Sequence, residues 1–517
     1  MSFASAMAAR QAAPPNKALI TFSIMASTLM VVLDTTIANV ALPHMQGSLN
    51  AAQDQVTWVL TSYIVASAIL TPLTGWLSAR FGRKTLFLVS VAGFTISSAL
   101  CGIATSIEEM VLFRLLQGVF GAPMLPLAQA VLLDINPREK HGQAMAIYGM
   151  GVMIGPIMGP VLGGWLTESY SWRWCFYINV PVGIIAAAGI LLSIHGSRHE
   201  NPPKLDILGF LFMSLGLGAL QMMLDRGQTE DWFQSTEIWI EAALAALGFW
   251  WLGVQIFTAK NPFINRVLLA DRNFVTATVL GFFLGVMIFS TTALLPPLIQ
   301  RLLGYPVLES GIVMAPRGFG TLAAMFIVGR LIGKIDTRLI LFVAFLLNAV
   351  AVYMLTGLSL EADAHIIIVS GVLQGLGLGL LFVPLSTIAF ATVPPQLRTD
   401  ASGIFTLVRN IGSAVGISAM GAVQLNNVQA ARSSLAEHIR PDNPAIAQLP
   451  SGLGIDSPLG LAVMNGEVTR QATMIGYIDA FYLTAILCIA CLPLLLLLRA
   501  PRRRAGGQED APHAVME

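Results

Sequence analysis

Charge is scarce in this chain of 517 residues: Lys, Arg, Asp and Glu together make up 11%, against about 25% in a soluble protein. So few cannot cover a water-exposed surface of ordinary composition, which excludes soluble enzymes and disordered proteins. The formal net charge of +1 leaves no electrostatic footprint for a nucleic acid. Cysteine is sparse too, with four residues, which excludes a secreted disulfide scaffold. Cys101, Cys488 and Cys491 fall inside apolar runs and Cys175 at a helix start. Cys488 and Cys491 have the spacing of a redox or zinc pair, but no His or acid stands nearby, so they read as small residues of a lipid-facing helix. Of seven histidines, only His44 and His365 fall near span ends on the outer side. Neither has acidic company that repeats in the other half, as a metal set or catalytic triad inside the spans would need, so an intramembrane enzyme is not expected.

What fills the chain is apolar. Hydrophobic residues make up 55%, and mean hydropathy is +0.73. At about 20 apolar residues per spanning helix, roughly 284 such residues serve about fourteen spans. The runs do not alternate, which excludes an outer-membrane barrel. They fall near 18–42, 55–78, 85–105, 109–133, 142–166, 174–195, 206–224, 236–257, 273–297, 310–333, 338–358, 364–392, 401–425 and 474–499. The first is span-length and lacks a cleavage site, so it reads as a span and not a removed signal. Connections are short except for 425–473, which reads as a polar loop.

Basic residues orient the array. With the N-terminus in the cytoplasm, 20 of the 29 Lys and Arg fall on the cytoplasmic side, 6 outside, and Arg114, Arg317 and Arg409 within spans. An even span count returns the C-terminus to the cytoplasm and puts 425–473 outside. The chain also repeats itself: Gln117-Gly118 recurs 257 residues later as Gln374-Gly375, and Gly155 and Gly159 recur at that offset as Gly412 and Gly416. The expected organisation is a cytoplasmic segment 1–17, a six-span bundle 18–200, two additional spans 201–260, a second six-span bundle 261–500 containing the loop 425–473, and a tail 501–517. Duplicated bundles around a midplane site are an architecture of secondary transporters.

Intramembrane charge points to function, because burying it is costly. Asp34 is the only carboxylate deep in the first span. A carboxyl group in a low-dielectric cavity is suited to loading and releasing a proton. Arg114, in the fourth span, always carries charge and needs a partner; pairing with Asp34, directly or through Gln117, would let one charge tune the other. Asn39, Tyr63, Gln117, Gln374 and Arg409 are candidate residues for a substrate cavity, whose walls are otherwise apolar and aromatic. Gly151, Gly155, Gly159 and Gly163 form a ladder on one face of the fifth span, where another helix can approach closely. Pro156 and Pro160 are interleaved and Gly164 trails; because each proline removes a backbone bond and bends the helix, the repetition reads as a functional bend. The loop 75–84 sets Gly75 and Gly82 beside Arg80, Arg83 and Lys84, cations that can pair with Asp134 when the cytoplasmic side closes.

The motifs LDTTIANVALP (33–43), GWLSARFGRK (75–84), LFRLLQGVFGAP (112–123), GVMIGPIMGPVLGG (151–164) and WRWCFYINVPVG (172–183) make the whole chain resemble a major facilitator superfamily transporter of the fourteen-span drug:proton antiporter kind. The resemblance implies an all-α polytopic fold of two six-helix pseudo-repeats plus two central spans. It also implies proton-driven efflux of amphipathic compounds across a bacterial inner membrane, with no cofactor beyond the proton gradient. The Gly-Pro motif of the fifth span marks antiporters in that family and argues against an uptake symporter. LDRGQTEDWF (224–233) and the late loop resemble exporters of Gram-negative bacteria that work with a periplasmic adaptor and an outer-membrane channel. A narrow exporter of an endogenous compound, such as a fatty acid or siderophore, fits the same scaffold. One departure stands out: the basic-loop motif carries an acid where this chain has Ala79.

Overall fold

The computed structural model describes residues 17–193, 204–332, 334–440 and 457–499. They fold into helices, with no β-strand among the described residues. Thirteen helices are long and apolar enough to cross a membrane, and a helix of 29 residues, His141–Ser169, lies among them. In chain order these are α1 Lys17–Ser48, α2 Gln55–Phe81, α3 Arg83–Ile103, α4 Ile107–Asp134, α5 His141–Ser169, α6 Trp174–Ser193 and α7 Ile207–Arg226. Then come α8 Thr236–Thr258, α9 Arg272–Leu302, α10 Glu309–Leu331, α11 Thr337–Leu355, α12 Ala364–Ala391, α13 Pro395–Glu437 and α14 Pro458–Leu497.

Local chemistry sets the helix ends. Ser106 caps α4 by accepting from the Glu109 amide at 3.3 Å, and Glu108 and Glu109 in the first turn complement the helix dipole. Asp271 and Ser457 cap α9 and α14 in the same way. Between α2 and α3 the chain turns at Gly82, whose φ of 84° is open to glycine at little cost. Within α2, Pro72 lies in a 3₁₀ turn, Thr71–Leu73, that joins two α-helical stretches.

The expected loop 425–473 is largely helical. α13 continues to Glu437 and α14 begins at Pro458, so only the stretch between them joins the pair; residues 441–456 lie outside the described set. A helix of 40 residues spans about 60 Å, twice the hydrocarbon thickness of about 30 Å. The two helices continue beyond the apolar zone as an antiparallel hairpin, tied by Asn427 Nδ2 to Asp479 Oδ2 at 3.0 Å and Arg432 Nη2 to Asn465 Oδ1 at 2.9 Å. The expected segments 1–17 and 501–517 fall almost wholly outside the described residues.

The apolar core is continuous between the two bundles only toward the end that carries Arg83 and Asp134, the basic end. There Phe87, Val131, Met145 and Val152 belong to one cluster with Phe274, Met325, Phe382 and Phe405. At the opposite end the core splits in two: one cluster around Ile37, Met45 and Trp172, another around Leu298, Val352 and Phe481. α7 bridges the bundles on one side through the Ser418 hydroxyl, which donates to the Leu224 carbonyl at 2.6 Å. α8 lies outermost, with Trp239, Trp250 and Phe257 exposed.

Candidate functional site

α1, α4 and α6 meet at Asp34. Its carboxylate is 1% exposed and Arg114 is 0% exposed. Arg114 Nη1 donates to Asp34 Oδ2 at 2.6 Å and to Gln117 Oε1 at 2.7 Å. Gln117 Nε2 and Asn179 Nδ2 both donate to Asp34 Oδ1, at 2.7 and 2.9 Å. The pairing of Asp34 with Arg114 is thus both direct and routed through Gln117. Arg114 and Gln117 lie three residues apart, on one helix face. The guanidinium is further fixed by Nε donating to the Val59 carbonyl at 3.1 Å, and it lies 4.4 Å from the centre of the Tyr63 ring. Its Nη2 is buried with no hydrogen-bond partner. Taking two charges out of water is costly, and only a close pair with its remaining lone pairs satisfied offsets that cost. Here three donors converge on one carboxylate.

Asn179 was not singled out from the sequence, although it stands in the motif WRWCFYINVPVG. It also donates to Ser98 Oγ at 2.9 Å, tying α3 to the cluster. An Asn at the entrance to an apolar run, two residues before Pro181, was the available signal.

The remaining predicted residues lie apart from Asp34. Asn39 is exposed and donates to the Thr35 carbonyl at 3.1 Å; five residues beyond Asp34, it sits on another face of α1. Gln374 is buried in the second bundle and donates to Thr291 Oγ1 at 3.0 Å. Thr291 stands 257 residues after Asp34 and Gln374 the same distance after Gln117. The second bundle therefore repeats the glutamine contact with a hydroxyl in place of the carboxylate, and Gly371 in place of Arg114. Among the described residues, the buried ion pair belongs to the first bundle alone. Arg409 is buried beside Phe382, 5.5 Å from its ring centre, and Phe382 stacks across the bundles on Tyr148 of α5 at 6.2 Å. Arg317 donates to the Ile288 carbonyl at 3.2 Å.

The glycine ladder faces α1. A Cβ on Gly155 would overlap Val32, one on Gly159 would overlap Thr36, and Gly163 lies against Ile37 and Val40. Thr36 Oγ1 donates to the Gly155 carbonyl at 3.2 Å. Gly151 meets only the end of the flexible Met25 side chain, and Gly164 faces open space. α5 is helical through positions 156 and 160; the side chains of Pro156 and Pro160 lie outside the described set.

At the basic end, Asp134 bridges the bundles. Arg83 of α3 pairs with its Oδ2, and Arg398 of α13 with its Oδ1 at 2.7 Å. Ser402 donates to Gln129 Oε1 at 2.6 Å beneath them. Lys84 donates to the Leu191 carbonyl at 2.9 Å, and Arg80 is exposed. Of the predicted loop cations only Arg83 reaches Asp134.

Residues 24–417 match the family model described as Major Facilitator Superfamily. The chain is 35% identical over 490 residues to the multidrug export protein EmrB of Haemophilus influenzae, covering 93% of this chain and 96% of that one. It is 36% identical over 506 residues to the fatty acid resistance protein FarB of Neisseria gonorrhoeae, covering 96% and 99%. Among solved structures, the human organic anion transporter MFSD10 superposes with a TM-score of 0.62 at 14% identity, over 93% of this chain and all of that one. With an all-helical array of spans, an internal repeat and a buried charge cluster at the heart of one bundle, the chain belongs to the Major Facilitator Superfamily.

Proposed function

We propose that this protein exports amphipathic compounds across a bacterial inner membrane in exchange for protons, by alternating access. The observation that carries the reading is the buried Asp34 cluster. Asp34 holds α1 to α4 and α6 through three donors, and protonation would remove the charge that draws them in. α1 packs through the glycine ladder on α5, and α5 carries Tyr148, which meets Phe382 of the other bundle. Proton binding at Asp34 is thereby linked to the contact between bundles by a continuous path of packed helices. With basic residues inside, the basic end is cytoplasmic, as are both termini. The shared core there and the split core opposite then correspond to an outward-facing state.

The export direction rests on the similarity to EmrB and on the ladder of α5. The hairpin of α13 and α14 lies on the periplasmic side in this orientation, where it is suited to contact an adaptor protein that continues the route to an outer-membrane channel. A second reading, export of amphipathic acids such as fatty acids, is favoured by Arg317 and Arg409. Both are buried in the second bundle, and neither pairs with a carboxylate among the described residues. Inside-out vesicles carrying the protein test both readings. A proton gradient should drive accumulation of amphipathic drugs, and a panel of long-chain fatty acids, lipophilic weak acids and cationic dyes separates broad export from acid export. Accumulation of none of them, or movement with the proton flux and not against it, would overturn the proposal.

A further inference from the structure

The gate loop is unbalanced in its own charge. Residues 75–84 hold Arg80, Arg83 and Lys84 and no carboxylate, with Ala79 where an acid is expected. Arg80 is exposed and Lys84 is spent on the Leu191 carbonyl, which leaves Arg83 at the closed interface. Arg83 shares Asp134 with Arg398, and Arg398 Nε is buried with no partner. Two guanidinium groups on one carboxylate leave a surplus positive charge where the bundles meet, and a half-buried surplus charge opposes closure.

A second carboxylate comes from the opposite bundle. Asp400, in the first turn of α13, lies so close to Gly75 of α2 that a Cβ there would land on the carboxylate. One turn further, a Cβ on Gly403 would stand 3.1 Å from the Thr71 carbonyl. α2 and α13 are therefore in near-backbone contact along this stretch, and glycine at 75 is what admits Asp400. Among the described residues Asp400 forms no ion pair with Arg83, whose partner is Asp134, but the two line one cavity. Ala79 follows Gly75 by four residues, on the same helix face, where side chains stand about 5–6 Å apart. A cavity of about 990 Å³ is lined by Ala79 and Asp400 together with Arg83, Asp134 and Arg398. Asp206, Lys204, Lys260 and Arg266 line it as well. Asp206 is already occupied by the amides of Gly209 and Phe263 and by Gln255, so it is no counterion for the gate.

We infer that Asp400 is a positioning residue of the gate, a carboxylate delivered from the second bundle that neutralises Arg83 in the closed state in place of an acid at position 79. The inference rests on the alternating-access reading above. It carries a consequence that an acid at position 79 would not. A carboxylate on α2 would stay beside Arg83 through the whole cycle, whereas Asp400 leaves it whenever the basic end opens. The counter-charge therefore stabilises the closed state selectively.

The test places spin labels on the full-length protein at Lys140→Cys and Lys334→Cys, exposed positions on opposite bundles at the basic end, with the native cysteines buried. Distance distributions then read the ratio of closed to open molecules without any transport. Asp400→Asn should lower that ratio about fivefold or more, within the usual range of coupling between two-state elements. Ala79→Asp alone should also lower it, because two carboxylates would face each other in one cavity. The double variant Ala79→Asp/Asp400→Asn should recover part of the closed population but stay below wild type, because an acid on α2 accompanies Arg83 in both states. A double variant as open as either single variant, or an unchanged ratio in Asp400→Asn or in Ala79→Asp, would overturn the assignment of Asp400 alone. A wild type with one distance at every pH and substrate concentration would overturn alternating access, and the gate with it.

Discussion

Asp34 and Arg114 are each tolerable only because the other is there. Removing one partner of a buried pair leaves an uncompensated charge and costs about 3–5 kcal/mol. Arg114→Gln should therefore lower thermal stability markedly, and Asp34→Asn in the same chain should restore most of it; thermal unfolding in detergent measures both. Additive losses in the double variant would mean that the two side chains do not act as a pair. Asn179→Leu removes one donor from Asp34 and one from Ser98, whose hydroxyl keeps its bond to the Phe176 carbonyl, a loss of about 1–3 kcal/mol in the same assay. Asp34, Arg114 and Gln117 were legible in the sequence because charge and amide groups are conspicuous in apolar runs. Asn179 was less so, since it opens a helix, where Asn is an ordinary residue. Asn39 reads from the sequence as a candidate for the substrate cavity; the structure places it exposed, on a face of α1 away from the Asp34 cluster.

Among the elements, the α1–α5 contact makes the sharpest prediction. Gly159 lies against Thr36 with no room for a Cβ, whereas Gly164 faces open space. Gly159→Leu should jam turnover and cost about 1–3 kcal/mol from overpacking, while Gly164→Leu should leave transport in proteoliposomes near wild type. Similar behaviour of the two variants would mean that the ladder face is not the α1 contact. The ladder was legible because spacing by four is a helix-face signature. The α13–α14 hairpin was hidden by the signal that revealed the spans: outside the apolar zone a helix becomes polar, and its residues read as a loop. Replacing residues 438–457 by a short Gly/Ser linker should spare proteoliposome transport, and should abolish efflux across the envelope if the hairpin meets a partner there. Equal loss in both assays would make the hairpin tip part of the transporter's own fold.

At the scale of the whole molecule, the two bundles could be read from the 257-residue offset, and the basic loops set the expected orientation. Which end is closed could not be read, because both bundles carry apolar residues along their whole length and only packing decides where the cores merge. The asymmetry between bundles lies in the same offset, which sets Thr291 against Asp34 and Gly371 against Arg114; the structure adds that the glutamine contact is kept while the charge is gone. On the proposed antiport reading, that asymmetry would confine proton binding to the first bundle and leave the second, with Arg317 and Arg409, to meet the substrate. The most direct test reconstitutes the protein in liposomes and follows substrate and proton fluxes together, wild type against Asp34→Asn. The account predicts that wild type moves substrate uphill with a simultaneous counterflow of protons, and that the Asn variant still exchanges substrate downhill but cannot concentrate it. Uphill transport by Asp34→Asn at the wild-type rate would contradict it.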